Sequence, residues 1–357
     1  MIDKLKINPK FLPLVVTVGL FGALYGYGIY QYRGFSSPQV FFNLFIDNAF
    51  LLITSIGMTM VILSGGIDLS VGAVIAFTTV LSAYLVEHNG YSPALAIPLV
   101  LLIGTALGAV MGSIIQFFKV QPFIVTLAGM FFARGMCFVI SLDAITISHP
   151  FYRAVSLYRI PVPFFEKAFI SISVVIFLLV LILAFYLAHM TRFGRTIYAI
   201  GGNEQSALLM GLPVARAKIL VYTFNGFCSA LAGVVFSIDL LSGYGLYTNG
   251  LELDAIAAVV IGGTQLTGGI GYVVGTVFGV LIEGLIQTLV IFQGDLSSWW
   301  TKIAVGLLTL LFIVIQSAFA SRSARKARLS ASAAVEDKPA GSLLPGKPII
   351  SKGGETG

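Results

Sequence analysis

Residues 168–189 read AFISISVVIFLLVLILAFYLAH, a run of 22 residues without a charge before its closing histidine. A helix that crosses the ~30 Å hydrocarbon core of a bilayer needs about 20 such residues. This stretch therefore predicts a transmembrane helix, and the rest of the chain is interpreted outward from it.

The composition of the whole chain agrees with a membrane protein. Of its 357 residues, 57% are apolar and 10% are charged, and its mean hydropathy is +0.97. Globular proteins carry about 25% charged residues. These values exclude a disordered chain, which needs low hydrophobicity, and two cysteines exclude a disulfide scaffold. We predict an all-α integral membrane protein.

Further apolar runs predict about ten transmembrane helices. Two Gly-rich stretches, 64–72 and 262–271, interrupt the pattern and indicate broken or re-entrant segments. The predicted spans are 11–30, 45–63, 71–88, 93–117, 122–141, 168–189, 217–241, 254–264, 271–291 and 298–318.

The net charge of +6 lies entirely at the two ends. Residues 1–10 hold three lysines against one aspartate, residues 319–357 hold seven basic against three acidic groups, and the remainder sums to zero. Basic ends that flank apolar spans follow the positive-inside rule, which makes nucleic-acid binding improbable. We expect a basic cytoplasmic N-terminus (1–10), a membrane domain (11–318) and a flexible cytoplasmic tail (319–357).

The two Gly-rich stretches share a pattern. SGGIDLSVG (64–72) and GGTQLTGGIG (262–271) each follow a β-branched run and precede another apolar helix. Paired broken helices are typical of transporters built from internal repeats. The alternative is a pair of tight turns in which Asp68 and Ser70 are helix N-caps.

The segment 190–218 carries a net charge of +3 and is expected on the cytoplasmic side. Within it, Asn203 is a candidate N-cap and Gly211 a candidate stop, so that a short helix is predicted over 205–210. Ala207, Leu208 and Met210 then expose an apolar side that suits the groove of another protein. The alternative is a helix that lies in the bilayer interface.

Three motifs together carry a family resemblance. They are GGIDLSVG at 65–72, T-R-F-G-R-x-x-Y-A-I-G-G-N-x-x-x-A-x-x-x-G at 191–211 and E-L-D-A-I-A-x-V-V-I-G-G-T-x-L-x-G-G-x-G at 252–271. In this order they resemble the sugar ABC-importer permeases of the ribose/arabinose/galactose type over residues 10–318. The stretch LSSWWTKIA at 296–304 brings the chain closer to the permease subunits of galactofuranose importers.

The resemblance implies three partners: a second permease subunit, homologous or identical, a cytoplasmic subunit that binds ATP, and a periplasmic sugar-binding protein. It implies a location in the bacterial inner membrane. It also places the loop that couples to the ATPase at Gly201, Gly202, Asn203, Ala207 and Gly211. The sequence has no G-x-x-x-x-G-K-[ST] phosphate loop, and we expect no cofactor and no metal site in this chain.

Polar residues within or beside the spans are candidates for the translocation path. They are Asp47, Asn48, Asp68, Asn225, Glu283 and Gln287. For Asp47 an interfacial carboxylate is an equal alternative. Arg134 either extends outward to the bilayer interface or, as we favour, pairs with a carboxylate such as Asp47. Glu283 has three open roles: lining a cavity, pairing with a neighbouring helix, or relaying a proton.

The leading hypothesis is therefore a passive translocation subunit that a separate ATPase drives. The alternative is a proton-coupled secondary transporter that uses Glu283 or Asp68. An intramembrane enzyme is a weaker third, because no nucleophile–base pair or metal-ligand spacing is evident.

Overall fold

A computed structural model describes residues 12–315 except 164, 166, 167, 296 and 298. The chain divides into a compact unit, Met1–Ile313, and a second unit, Val314–Gly357. The predicted basic N-terminus (1–10) and tail (319–357) lie outside the described residues.

The described chain is almost entirely helical. Two short antiparallel strand pairs complete it, β1 with β4 and β2 with β3. The helices are α1 (Leu12–Gln31), α2 (Pro38–Asp47), α3 (Ala49–Leu63), α4 (Val71–Glu87), α5 (Pro93–Phe118), α6 (Pro122–Ile140), α7 (Pro150–Leu157), α8 (Ile172–Met190), α9 (Arg192–Gly202), α10 (Glu204–Leu209), α11 (Val214–Leu240), α12 (Leu251–Ile261), α13 (Val273–Gln293) and α14 (Trp299–Ile315). The strands are β1 (Ile145–Thr146), β2 (Arg159–Pro161), β3 (Phe169–Ser171) and β4 (Ser242–Gly243).

Six described helices are long and apolar enough to cross a membrane: α1, α5, α6, α8, α11 and α13. A seventh span is the pair α2–α3, which bends by 57° at Asn48. Helices α4 and α14 have 17 residues each. The predicted class of all-α integral membrane protein is confirmed, and each predicted span corresponds to a helix or a bent pair.

Helix α11 forms the centre of the bundle and packs on α3, α4 and α5. Its contact with α5 depends on small residues, because a Cβ at Gly108 would lie 2.3 Å from the Tyr222 carbonyl oxygen. A Cβ at Gly226 would lie 2.6 Å from the Gly104 carbonyl oxygen. Backbones that approach this closely are typical of helix pairs in membranes.

Two crossings of the bundle are only partly helical: the one that contains α4 and the one that contains α12. Helix α12 has 11 residues and is about 16 Å long, half of what a full crossing requires. Its N-terminus meets that of α4 inside the bundle, where Thr248 Oγ1 donates to the Gly72 carbonyl oxygen at 2.7 Å. From this meeting point α4 and α12 run to opposite ends of the molecule. The Gly-rich stretch 64–72 is therefore a break inside a crossing, as the sequence predicts.

The contacts between loops define the two ends. At one, which we call the α9 end, the Gly269 amide donates to the Leu63 carbonyl oxygen at 3.0 Å beside the last residues of α9. At the other, the Ile147 amide donates to the Leu241 carbonyl oxygen at 2.7 Å, just after α11. We call this second end the α7 end.

Candidate functional site

Helix α10 is a short, firmly capped helix at the α9 end. The Asn203 side chain accepts from the Ser206 amide at 2.8 Å, which confirms the predicted N-cap. At the other end Gly211 has φ +73°, and the amides of Gly211 and Leu212 donate to the carbonyls of Leu208 and Ala207. This is a Schellman motif, so the predicted stop at Gly211 is also confirmed.

The exposed side of α10 differs from the predicted one. Ala207 is fully buried against Ile200, Val214 and Ala217, so the prediction that it faces outward is wrong. Its neighbours Leu208, Leu209 and Met210 are 52%, 89% and 66% exposed. Three adjacent apolar side chains thus project from one turn, while a small residue anchors that turn to the protein.

The segment before α10 is helical, although the sequence predicted a loop there. Thr191 caps α9 by accepting from the Gly194 amide at 3.2 Å, and Ile197 and Ile200 are buried. Tyr198 donates to the Gly271 carbonyl oxygen at 2.7 Å. Burial raises the pKa of the Tyr198 hydroxyl, so that it remains a neutral donor.

Glycines from three segments pack backbone to backbone at the end of α9. We call Gly65, Gly201, Gly268 and Gly269 the glycine junction. A Cβ at Gly201 would lie 2.0 Å from the Leu63 carbonyl oxygen and 2.3 Å from the Gly269 amide nitrogen. A Cβ at Gly268 would lie 2.8 Å from the Gly65 nitrogen. The junction therefore joins the helix that leads into α10 to both Gly-rich stretches.

Gly202 borders the junction through its backbone only, since a Cβ at Gly269 would lie 2.7 Å from the Gly202 nitrogen. It is exposed, and a Cβ built there meets nothing within 4 Å. Of the predicted coupling residues, the structure places Gly201 in the junction and Gly202 at its border. It places Ala207 on the buried face of α10, and Asn203 and Gly211 at the caps of this helix.

An ion pair ties α10 to the start of the central helix. The Lys218 ammonium contacts the Glu204 carboxylate at 2.6 Å. Glu204 is the first residue of α10 and Lys218 lies in the first two turns of α11. Together with the buried Ala207, this ion pair holds α10 on α11 by side-chain contacts, in addition to the covalent link between the two helices.

Asp68 and Asn225 meet inside the bundle, although 157 residues separate them. Asp68 Oδ2 accepts from the Asn225 amide at 2.7 Å, and Asp68 Oδ1 accepts from the Ser70 backbone amide at 2.8 Å and hydroxyl at 2.6 Å. All three residues are at most 1% exposed. Ser70 occupies the N-cap position of α4 but makes no capping bond with its side chain, so Asp68 holds this helix start instead.

Two more polar atoms close to this group are buried. Tyr222 Oη and Asn225 Oδ1 have no hydrogen-bond partner among the described residues. A Cβ at Gly66 would lie 2.4 Å from the Tyr222 hydroxyl, so this hydroxyl also faces the break. The break at 64–70 is therefore lined by polar groups, as non-helical backbone within a membrane requires.

Glu283 lies in a second interior region, separate from Asp68. It is 6% exposed, and its Oε2 has no hydrogen-bond partner in the described part of the chain. Asp254 and Lys302, which are hydrogen-bonded to each other at 2.6 Å, lie near enough to act on it electrostatically. Gln287, one turn later on α13, is exposed and does not share this environment.

Asn48 lies at the bend between α2 and α3 and contacts the helix that carries Glu283. Its amide donates to the Leu44 carbonyl oxygen at 2.9 Å, and a Cβ at Gly284 would lie 2.3 Å from its Nδ2. Asn48 is 8% exposed. The adjacent Asp47 instead faces a cleft at the α7 end of the molecule. The predicted path residues therefore fall into several separate groups and do not line a single translocation path.

Arg134 does not pair with Asp47, so that expectation is wrong. Its guanidinium donates to the carbonyl oxygens of Gly245 and Tyr247 at 2.6 and 2.8 Å. These carbonyls belong to the non-helical chain before α12, where backbone acceptors need partners. Arg134 thus stabilises the crossing that contains α12.

Sequence reasoning missed Tyr222, Arg159 and the role of Gly268. Tyr222 has no local signature, because the break at 64–70 that it faces lies more than 150 residues away. Arg159 lies in the β2–β3 hairpin, which the sequence did not predict. The signal for the glycine junction was present, since glycines cluster at 65–66, 201–202 and 268–269, but their mutual contact depends on the tertiary fold.

Comparison with known proteins gives one family and several close relatives. Residues 40–314 match the family model described as branched-chain amino acid transport system / permease component. The inner membrane ABC transporter permease protein YjfF of Escherichia coli (strain K12) is 51% identical over 85% of this chain and 92% of its own length.

Two further relatives cover similar shares of the chain. The fructose import permease protein FruG of Bifidobacterium longum is 40% identical over 88% of this chain and 93% of its own length. The ribose import permease protein RbsC of Bacillus subtilis is 39% identical over 79% and 85%. No solved structure gave a significant match.

Proposed function

The chain belongs to the family of branched-chain amino acid transport system permease components, and from that premise we propose that it is the membrane subunit of an ATP-driven sugar importer. It is a transporter subunit and not an enzyme. Relatives that cover most of the chain are named as import permeases for fructose and ribose, which supports a sugar as the substrate.

The observation that carries this proposal is the construction of the α9–α10 segment. Leu208, Leu209 and Met210 project outward from a turn that is capped at both ends and anchored by buried Ala207. An exposed apolar turn on a rigid base suits insertion in a groove of a partner protein. We assign this groove to the cytoplasmic ATPase, which binds ATP.

The glycine junction extends the same reasoning into the bundle. A displacement of α10 acts on Gly201, and Gly201 is in backbone contact with both Gly-rich stretches. A close-packed contact without side chains leaves little room for compression. We call the exposed turn of Leu208, Leu209 and Met210 the docking turn. Its movement therefore reaches the start of α4 and the segment after α12.

The complete importer then comprises further subunits: a second permease, homologous or identical to this one, the ATPase, and a periplasmic sugar-binding protein. The location is the bacterial inner membrane, with both termini in the cytoplasm, as the basic ends favour. Galactofuranose or a related monosaccharide is the favoured substrate, on the strength of the motif resemblance.

The alternative is a proton-coupled secondary transporter, which the buried carboxyl groups of Asp68 and Glu283 favour. Asp68, however, accepts three hydrogen bonds from Ser70 and Asn225 at a helix start, an arrangement that serves structure.

Vesicles that contain this chain alone decide between the two functions. Under an imposed proton gradient, we expect no accumulation of radiolabelled galactose, ribose or fructose, because the chain lacks an energy source of its own. Gradient-driven accumulation in the absence of any ATPase contradicts the proposed function.

A further inference from the structure

A cleft opens at the α7 end of the molecule, opposite the docking turn. The bend between α2 and α3, the C-terminus of α11 and the β2–β3 hairpin enclose it, and its volume is about 390 Å³. Sites for small molecules typically measure ~300–1,000 Å³. In the proposed orientation this cleft faces the periplasm, from which an importer receives its sugar.

Two carboxylates face the cleft from different helices. Asp47 ends α2, and Asp239 lies near the end of α11. The Ser173 hydroxyl donates to Asp239 Oδ1 at 2.8 Å and thereby fixes the orientation of this carboxyl group. Neither aspartate forms an ion pair with any described residue, so both remain free to accept hydrogen bonds from a ligand.

A cation and several aromatic rings complete the lining. The Arg159 guanidinium lies 4.4 Å from the centroid of the Phe169 ring, which holds it at the wall. On the facing side, Phe50 and Phe236 pack edge to face with centroids 4.8 Å apart. The wall thus combines charged acceptors, a charged donor and apolar ring surfaces.

This combination selects for a neutral, hydroxyl-rich ligand. Two carboxylates repel an anion, and the guanidinium disfavours a simple cation. A monosaccharide satisfies all of these groups, because its hydroxyls donate to Asp47 and Asp239 and accept from Arg159. Its C–H faces pack on the rings, and hydrogen bonds to charged partners are the stronger kind.

We propose that this cleft is an entry site in which Asp47, Asp239 and Arg159 bind the sugar as it passes from the binding protein to the permease. The inference rests on the proposed function and adds to it the side chains that contact the substrate.

The test uses the complete importer in proteoliposomes, with ATP and radiolabelled galactose, ribose or fructose. The binding protein is held at the lowest concentration that saturates uptake by the unmodified importer. Asp47→Asn and Asp239→Asn keep the size of each side chain and remove its charge. Asp143→Asn is the matched control, because Asp143 is an exposed carboxylate at the same end that does not line the cleft. Arg159→Gln changes an exposed side chain outside the helices and gives an independent readout.

We expect Asp47→Asn, Asp239→Asn and Arg159→Gln each to slow uptake at least about tenfold, as the loss of a hydrogen bond to a charged group does. Asp143→Asn should stay within about twofold of the unmodified importer, the size of effect expected for an exposed surface site. ATP hydrolysis by the Asp143→Asn importer should match that of the unmodified importer, and the yield of assembled complex should be unchanged in all four variants.

Three results overturn the inference, and they are distinguishable. If the unmodified importer takes up neither galactofuranose nor any of the three sugars, the proposed function falls and this site with it. If it does, and all three cleft variants match Asp143→Asn, the site is wrong while the proposed function stands. If excess binding protein restores the uptake of the variants, these residues dock the binding protein and do not contact the sugar.

Discussion

Gly201 and Gly202 are neighbours in the last turn of α9, yet their surroundings are opposite. A Cβ at Gly201 would lie 2.0 Å from a backbone oxygen, whereas a Cβ at Gly202 would enter open space. The two positions are adjacent residues of the same helix. They therefore form a matched pair that isolates the glycine junction.

We predict that Gly201→Ala impairs the importer and that Gly202→Ala does not. The added methyl group at Gly201 forces the backbone of 63–65 or 268–269 to move, and such overpacking costs ~1–3 kcal/mol. The measurement is sugar uptake per ATP hydrolysed by the reconstituted importer. For Gly201→Ala this ratio should fall several-fold, while hydrolysis persists.

Gly202→Ala should leave the ratio unchanged, because alanine favours a helix over glycine by about 1 kcal/mol and meets no neighbour at this position. Equal coupling in the two variants would show that the junction carries no movement from α10.

At the scale of elements, α10 shows which local features the sequence predicts. Its caps at Asn203 and Gly211 follow from contacts within a few residues, and both were predicted correctly. The burial of Ala207 depends on α9 and α11, which local patterns do not reveal. Helix α9 was missed for a related reason: its polar and glycine-rich sequence is stabilised by packing of Ile197 and Ile200.

The corrected exposure makes Leu209 the sharpest probe of docking, since it is 89% exposed. We predict that Leu209→Asp abolishes co-purification of the chain with its ATPase, because it introduces a charge at the centre of an apolar contact. The matched control is Leu142→Asp, which places the same change on a 73% exposed leucine at the α7 end.

Both variants should express and fold alike, since neither side chain is buried. Retention of the ATPase by Leu209→Asp would remove the assignment of α10 as the docking turn. Loss of the ATPase from both variants would show that the effect is not specific to α10, and this result would equally contradict the assignment.

For the whole molecule, hydropathy predicted the class, because burial in lipid requires long apolar helices. Of the ten predicted spans, six described helices and the bent pair α2–α3 are long enough to cross a membrane, whereas α4, α12 and α14 are shorter. The Gly-rich stretches predicted broken crossings, which agrees with the short α12, but hydropathy did not predict that α2 and α3 bend by 57° at Asn48. The broken crossings depend on Arg134 and Asp68, whose bonds reach segments more than 100 residues away, and the bend lies where Asn48 meets Gly284 of α13. The cleft between α2, α11 and the β2–β3 hairpin has the same long-range origin.

The central claim is that this chain is a passive path whose movement is driven by ATP hydrolysis in another subunit. Its surface fits this division of labour, with an apolar docking turn at the α9 end and a polar cleft at the α7 end. Energy then enters at one end of the bundle and sugar at the other.

The most direct test measures uptake of radiolabelled sugar into proteoliposomes that hold the complete importer, with ATP and the proton gradient varied independently. We predict uptake that requires ATP and persists when an ionophore abolishes the gradient. Uptake that continues without ATP and stops when the gradient is abolished would contradict the account.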